Sequence, residues 1–546
     1  MNQHLIIAPI LIPFVAGALM LLYDDRQRVV KFWISLSSIL AQLFIAIQLV
    51  IRAKTGAETG GEGITFYLLG NWEAPMGIVL VLDRLSAMML VLTAFLATVS
   101  LIYARAGWHR QGTYFYSLFQ FLLVGLNGAF LTGDLFNLFV FFEVLLAASY
   151  GLLLHGSGQV RVRAGFHYIA INLTASLLFL IGVSLIYGVT GTLNMAHLAN
   201  MISQVAPADR PLLHAAFAIL GVAFLVKAGS WPLSFWLPST YMAAAAPIGA
   251  MFAIMTKVGI YAILRLSLLM FGTTGGPSAG FGASVLIALG MATMIFGLLG
   301  ILAAQNIGRI AANTVLISSG SLLIVIGFAL LGGGEAMLAG ALYYMIGSTL
   351  ATGALFLLVE PMERKDGGIA ALLALTADAY GMDAQPVEDD SVTEGPRIGY
   401  GLPLLAGGFI VAVLFLAGLP PLPGFIGKVA MIQGLIAVTG IWGAIAWGSI
   451  ALLLLSGLAA LIGLVRIGIQ TFWTNEENPS QLMALEIAPV LALAAALCMM
   501  TVKAEATLRY TAGTAVALHE TSAYAYGVFA ARPAVTNTSA KTDGQP

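Results

Sequence analysis

Apolar runs of about twenty residues, separated by short polar connections, recur from one end of the chain to the other. They fall near 5–23, 33–51, 78–104, 113–131, 134–154, 166–188, 212–229, 247–270, 281–303, 313–331, 336–361, 402–418, 442–466 and 485–502. A helix of about twenty residues matches the thickness of the hydrocarbon core of a bilayer. Lipid gives backbone N–H and C=O groups no partner, and these runs lack the ten-residue alternation of membrane strands, so helices are predicted. Two shorter apolar stretches, 233–246 and 425–438, follow breaks containing Pro and read as second halves of the seventh and twelfth spans. The pattern therefore predicts an all-α polytopic membrane protein with about fourteen transmembrane helices.

Composition agrees with lipid as the solvent. The 546 residues are 60% hydrophobic and 9% charged, and mean hydropathy is +0.95, well beyond a soluble domain of this size. Net charge is −1 and the basic residues are scattered, which argues against a nucleic-acid partner. A single cysteine, Cys498, can make neither an internal disulfide nor a cysteine-ligated cluster, so redox chemistry would belong to a partner. No phosphate loop, nucleophile triad or metal-ligand spacing is present, and no cofactor is expected. The first run has no basic residue before it and no small-residue cleavage site after it, so it reads as a retained helix rather than a signal peptide.

Charge between the spans sets the expected orientation. With the N-terminus outside, loops after odd spans carry Arg26, Arg28, Lys31, Arg105, Arg110, Arg161, Arg163, Arg309, Arg364, Lys365, Arg397 and Arg466. The opposite loops carry Arg52, Lys54, Arg210 and Arg265. Positive residues concentrate on the cytoplasmic side, which puts both termini on the non-cytoplasmic side. Residues 362–400, rich in Asp and Glu, cannot sit in lipid and read as a polar cytoplasmic loop. The last forty or so residues have no spanning pattern and are expected to fray.

Four charges stand where lipid should exclude them. Glu143 lies about halfway along the fifth span, Lys227 just ahead of the first break, Lys257 near the middle of the eighth span, and Lys428 directly after the second break. A charge at bilayer depth costs about 2.5 to 3.5 kcal/mol on insertion scales, so each needs a compensating role. Structural pairing of Glu143 with a lysine is one such role; a proton relay is the other. The breaks at Trp231-Pro232 and Pro238, and at Pro420, Pro421 and Pro423, free backbone groups that lipid cannot satisfy. Paired discontinuous helices of this kind point to an ion pathway at the membrane midplane. Weaker signals are Asp134, a natural helix cap as well as an accessory candidate, and His167 near the start of the sixth span. Asp83 and Arg84 are expected to meet solvent, and Gly297 and Gly300 to serve close helix packing.

Four stretches carry a family resemblance: Thr132-Gly-Asp-Leu-Phe-Asn-Leu-Phe-Val-Phe-Phe-Glu143, Phe224-Leu-Val-Lys227-Ala-Gly-Ser-Trp-Pro-Leu-Ser-Phe-Trp-Leu-Pro238, Thr256-Lys257-Val-Gly-Ile-Tyr-Ala-Ile-Leu-Arg265 and Gly418-Leu-Pro-Pro-Leu-Pro-Gly-Phe-Ile-Gly-Lys428. Their order over roughly 75–470 resembles the antiporter-like subunits shared by respiratory complex I and Mrp-type multisubunit cation/proton antiporters, the Mrp D-type above all. The resemblance implies two inverted five-helix repeats, spans four to eight within 112–272 and nine to thirteen within 280–470, with spans seven and twelve broken. Residues 1–111 would hold the first three helices, and 471–546 the fourteenth helix and a disordered tail.

It further implies that Glu143, Lys227, Lys257 and Lys428 form a proton-transfer row in a transporter subunit rather than an enzyme. Partners would be other Mrp subunits, the lipid bilayer, H⁺, and Na⁺ or K⁺. The family often has a histidine or lysine on the eleventh helix, where this chain has Gly347, Ser348 and Thr352. Hydroxyls of Ser348, Thr349 and Thr352, or Tyr343, would hold water there instead. A proton-pumping subunit of a complex I-like oxidoreductase and a non-conducting scaffold are the alternative readings.

Overall fold

A computed structural model describes residues 4–24, 26–58, 63–363, 401–472 and 482–531. Most of the polar loop, 364–400, and the extreme tail, 532–546, lie outside the described residues. The predicted runs are found in helices α1 (Ala8–Leu21), α2 (Arg28–Glu58), α3 (Arg84–Ala104), α4 (Phe115–Leu131), α5 (Leu135–Leu153), α6 (Gln159–Thr190), α8 (Arg210–Ala228), α10 (Ala246–Phe271), α11 (Ala283–Ala303), α12 (Ile307–Leu330), α13 (Glu335–Glu363), α14 (Gly401–Ala417), α16 (Gly443–Phe472) and α17 (Ala484–Val502). The two half-helices after the breaks are α9 (Trp236–Ala243) and α15 (Pro423–Ile436). Among the described residues, eleven helices are long and apolar enough to cross a membrane, and α1, α4, α14 and α15 are shorter apolar helices.

Burial separates centre from periphery. The apolar windows of α10 and α12 are wholly buried and that of α13 nearly so, whereas α2, α6 and α11 expose large apolar side chains such as Phe44, Leu177 and Leu299. Outward-facing Phe and Leu at this density suit lipid rather than water. Small residues let the central helices approach: Gly297 and Gly300 of α11 lie against Ile317 and Asn313 of α12.

One end of the bundle carries structure that hydropathy does not announce. Strands β1 (Thr65–Leu68) and β2 (Val79–Leu82) pair antiparallel, Thr65 opposite Leu82 and Leu68 opposite Val79. The short α7 (Met195–Ile202) starts at Asn194, whose Oδ1 accepts from Ala196 and His197 N–H at 3.1 Å. Beyond Lys503, where the sequence suggests fraying, α18 (Ala504–His519) and α19 (Thr521–Ala530) form. They are too short to span, and lie on protein instead. Tyr510 donates to Arg84 O at 2.8 Å, the Thr274 and Thr521 hydroxyls meet at 2.7 Å, and Phe529 packs its ring against His197.

Asp83 and Arg265 also depart from expectation. Neither meets solvent: Asp83 caps α3 through Ser86 N–H and pairs with the Arg265 guanidinium at 2.5 Å, both residues 6% exposed. Arg265 sits two turns beyond Lys257 on α10, with Tyr261 and Tyr524 rings beside it. Counted with the loop residues from the sequence, Arg265 is instead enclosed at the bundle end, beside Asp83 at the start of α3 and Tyr524 of α19.

Candidate ion-translocation site

The two breaks are built alike. Gly229 after α8 and Gly418 after α14 take left-handed φ values of 69° and 75°. Gly229 N–H bonds to Val226 O and Ser230 N–H to Leu225 O; Gly418 N–H bonds to Phe415 O and Leu419 N–H to Leu414 O. This closes each helix with a Schellman arrangement that only a residue tolerating positive φ adopts without strain. Each end is pressed by a glycine from a neighbouring helix. A Cβ on Gly259 of α10 would come 2.6 Å from Ala228 N, and one on Gly457 of α16 would come 2.3 Å from Ala417 O.

The three lysines of the row are buried, 2–8% exposed, and none forms an ion pair with a carboxylate among the described residues. Lys227, in the last turn of α8, donates to Asn172 Oδ1 of α6 at 2.9 Å, with the Phe142 ring 6.0 Å from its ammonium. Lys257, in the middle of α10, donates to Ser318 Oγ of α12 at 2.8 Å, and Ser318 meets Ser348 of α13 at 2.8 Å. Lys428, in the first turns of α15, reaches back to Leu416 O at 3.2 Å and Ala417 O at 3.5 Å, the carbonyls that end α14. A cation at a helix C-terminus satisfies carbonyls that have no helical donor.

Glu143 is half-buried on α5 and accepts a hydrogen bond from Ser176 Oγ of α6. It does not touch Lys227. Asn172 and Ser176 stand one turn apart on α6, so α6 presents one polar group to the lysine and another to the carboxylate. Next to Lys227 is a cavity of about 10 Å³, lined by Asn172, Tyr168, Trp236, Tyr241, Met255 and Phe142 among others. That is room for about one water molecule. Trp236 Nε1 is buried there with no acceptor among the described residues.

The accessory candidates divide. Ser348 joins the Lys257 chain, and Thr352 faces Thr314 at 3.5 Å, hydroxyl to hydroxyl. Tyr343 points away, donating to Met500 O at 2.9 Å. Asp134 caps α5 by accepting from Asn137 N–H at 2.9 Å. His167 is exposed and bonds to Arg163 O of its own helix. Sequence reasoning passed over Asn172, Ser176 and Ser318. A signal existed for the first two: polar residues four apart in an otherwise apolar run share one helix face. Ser318 had none, since Ser319 and Ser321 beside it are equally polar.

Also unmarked in the sequence is Glu360, near the end of α13. It accepts from Trp108 Nε1 at 2.7 Å, Tyr103 OH at 3.3 Å and Ala246 N–H at 3.0 Å. Arg161 lies over the Trp108 ring and donates to Ala243 O, so the α9 to α10 connection is gripped from both sides.

A helical bundle with two broken helices and buried, carboxylate-free ammonium groups at their breaks and centre defines a membrane protein of the ion-translocating class. The chain belongs to the NADH:quinone oxidoreductase/Mrp antiporter family, whose transmembrane region matches residues 132–454. It is 51% identical over 519 residues to the D subunit of a probable K⁺/H⁺ antiporter from Rhizobium meliloti, covering 94% of this chain and 95% of that one. It is 34% identical over 523 residues to the D subunit of a Na⁺/H⁺ antiporter from Alkalihalophilus pseudofirmus, covering 93% and 96%. A chain of the Mrp complex from Dietzia shares the fold with a TM-score of 0.80 and 25% identity, covering 96% of this chain and 99% of that one.

Proposed function

We propose that the chain is the D-type member of a multisubunit monovalent cation/proton antiporter and relays protons along Glu143, Lys227, Lys257 and Lys428. The carrying observation is that all three lysines are buried yet held by neutral oxygen acceptors. An ammonium locked to a carboxylate is a fixed charge; one held by an amide, a hydroxyl or a carbonyl can give up its proton without stranding a buried anion. Glu143, half-buried and one helix away, is the carboxylate that couples to Lys227 by charge without neutralising it in a contact pair. The layout of two repeats, one per break, is supported by the matching caps at Gly229 and Gly418.

The other members of the assembly complete the transport cycle. K⁺ is the first cation to test, since the relative named for K⁺ is 51% identical and the one named for Na⁺ 34%. Both termini are assigned to the non-cytoplasmic side of the bacterial plasma membrane, a reading supported by the distribution of basic loops. Replacing Glu143 by Gln in the complete complex is expected to abolish cation/proton exchange in inverted vesicles while assembly persists. Undiminished exchange by the assembled E143Q complex would defeat the assignment.

A further inference from the structure

The Lys257 ammonium is surrounded by apolar α10, α12 and α13, and its sole hydrogen bond among the described residues runs to Ser318. Ser318 Oγ is also 2.8 Å from Ser348 Oγ, which in turn donates to Met345 O at 3.1 Å. Acceptor availability, rather than distance, sets the direction of this bond. With Ser348 donating to the Met345 carbonyl, Ser318, whose one acceptor among the described residues is Ser348, donates to it and keeps its lone pairs for the ammonium. Every dipole in the chain points its negative end at Lys257. Of the charged groups on the surrounding elements, Lys227 of α8 is turned to Asn172, Arg265 of α10 is committed to Asp83 ahead of α3, and Glu360 of α13 holds Trp108 and the start of α10, while Arg309 of α12 and Glu335 and Glu363 of α13 lie exposed at the helix ends. The α12 and α13 faces bring only hydroxyls, those of Ser318, Ser348, Thr314 and Thr352.

From this geometry we infer that Ser318 and Ser348 are positioning residues that act together as the ammonium receptor of Lys257, setting the pH range over which the central lysine holds its proton. The inference rests on the relay reading of Lys257 and assigns it the groups that tune it. No proton passes through the hydroxyls, because the chain ends on a backbone carbonyl that cannot hand one on. The pair responds to the proton instead. When Lys257 is a neutral amine its lone pair accepts from Ser318, Ser318 can accept from Ser348, and the Met345 carbonyl is released. Ser318 and Ser348 thus rotate together with the charge of Lys257, and they do so across the α12 to α13 contact; of the α13 tyrosines nearby, Tyr343 donates to Met500 O and Tyr344 stacks on Phe415. Cooperative polarisation makes the two hydroxyls a better acceptor than one alone.

The test uses the whole antiporter complex in inverted vesicles, with exchange measured from about pH 6 to pH 10. S318A removes the acceptor and is expected to move the alkaline limb of the pH profile toward acid by about one unit, a tenfold loss of proton affinity. S318T, which keeps the hydroxyl, is expected to restore the limb. S348A is expected to shift it in the same direction by less, since Ser318 alone still accepts. An S318A profile that scales down without moving, or that matches the unaltered complex, overturns the receptor. If S318A does not assemble, S348A decides alone: an unmoved limb overturns the inference. K257A separates this from the larger reading, because full exchange by K257A would overturn the relay role of Lys257 itself, whereas an inactive K257A with an unshifted S318A removes only the receptor.

Discussion

Lys227 and Glu143 face the same helix but not each other: Asn172 accepts from the lysine at 2.9 Å, and Ser176, one turn along, donates to the carboxylate. The buried cation and the carboxylate are thus each satisfied by a separate polar residue of α6, while Phe142, the α5 neighbour of Glu143, also faces the lysine. With its ammonium on the amide, Lys227 makes no contact ion pair, whose desolvated components would be hard to separate again.

Replacing Asn172 by Leu is expected to lower exchange by about ten- to a hundredfold, the equivalent of one charged hydrogen bond of about 1.5 to 3 kcal/mol. Asn172→Asp should act differently, fixing Lys227 in a contact pair and slowing exchange despite restoring a partner. Vesicle transport assays of both variants, normalised to assembled complex, check this. An Asn172→Leu complex with unaltered exchange would show that the amide is packing only.

Asp83 and Arg265 form the buried ion pair at the hairpin end, with Tyr261 and Tyr524 beside the guanidinium. Removing one partner, as in Asp83→Leu, is expected to cost about 3–5 kcal/mol by leaving the other charge alone. Replacing both, Asp83→Leu with Arg265→Met, should recover most of that loss. The thermal midpoint of the purified complex is the measurement. Truncation after Lys503 should mimic the single variant, because α19 carries Tyr524 over the pair.

Gly457→Ala places a Cβ 2.3 Å from Ala417 O and 3.0 Å from the Lys428 ammonium. Overpacking at such a contact costs about 1–3 kcal/mol. The expected signature is a loss of exchange larger than the loss of assembled protein, since the carbonyls displaced are the ones that hold Lys428. Gly407→Ala is the control, for nothing lies within 4 Å of the Cβ it would add.

His109, in the connection between α3 and α4, is held neutral. Burial pushes its imidazole down to about 4; Arg110, Arg105 and Arg28 push the same way, and a hydrogen bond to Ala104 O opposes them. An unfolded histidine titrates near 6.5. Between about pH 6.5 and 4 the unfolded chain binds the proton that the folded one refuses, so stability falls as pH falls through that window. His109→Asn should flatten the thermal midpoint against pH over the same interval and change little above pH 7.

Much of this arrangement could be read along the chain. Hydropathy located the spans because lipid leaves a twenty-residue apolar helix as the only open structure that fits. The breaks were visible because Pro and Gly act locally, and the row was visible because Lys is costly at depth. What escaped notice was relational. Lys227 bonds to an amide of α6 rather than to Glu143, a fact of packing that no local pattern carries. Arg265 looked like a loop residue because its partner, Asp83, is 182 positions away. The α18 and α19 helices were missed because Ala, Thr and Tyr pack on protein as readily as they face water, and a spanning scan sees neither.

The α13 helix has a mechanical consequence. Its Ser348 is tied to Ser318, its Glu360 to the start of α10, and its Tyr343 to α17, while Phe356 fills the notch left by Gly249 of α10. A transporter that works by swinging one bundle past another would have to shear this strut at every stroke. Such a crossbeam opposes sliding of the central helices, and the proposed relay asks for no such sliding, only for side chains that reach from one oxygen to the next.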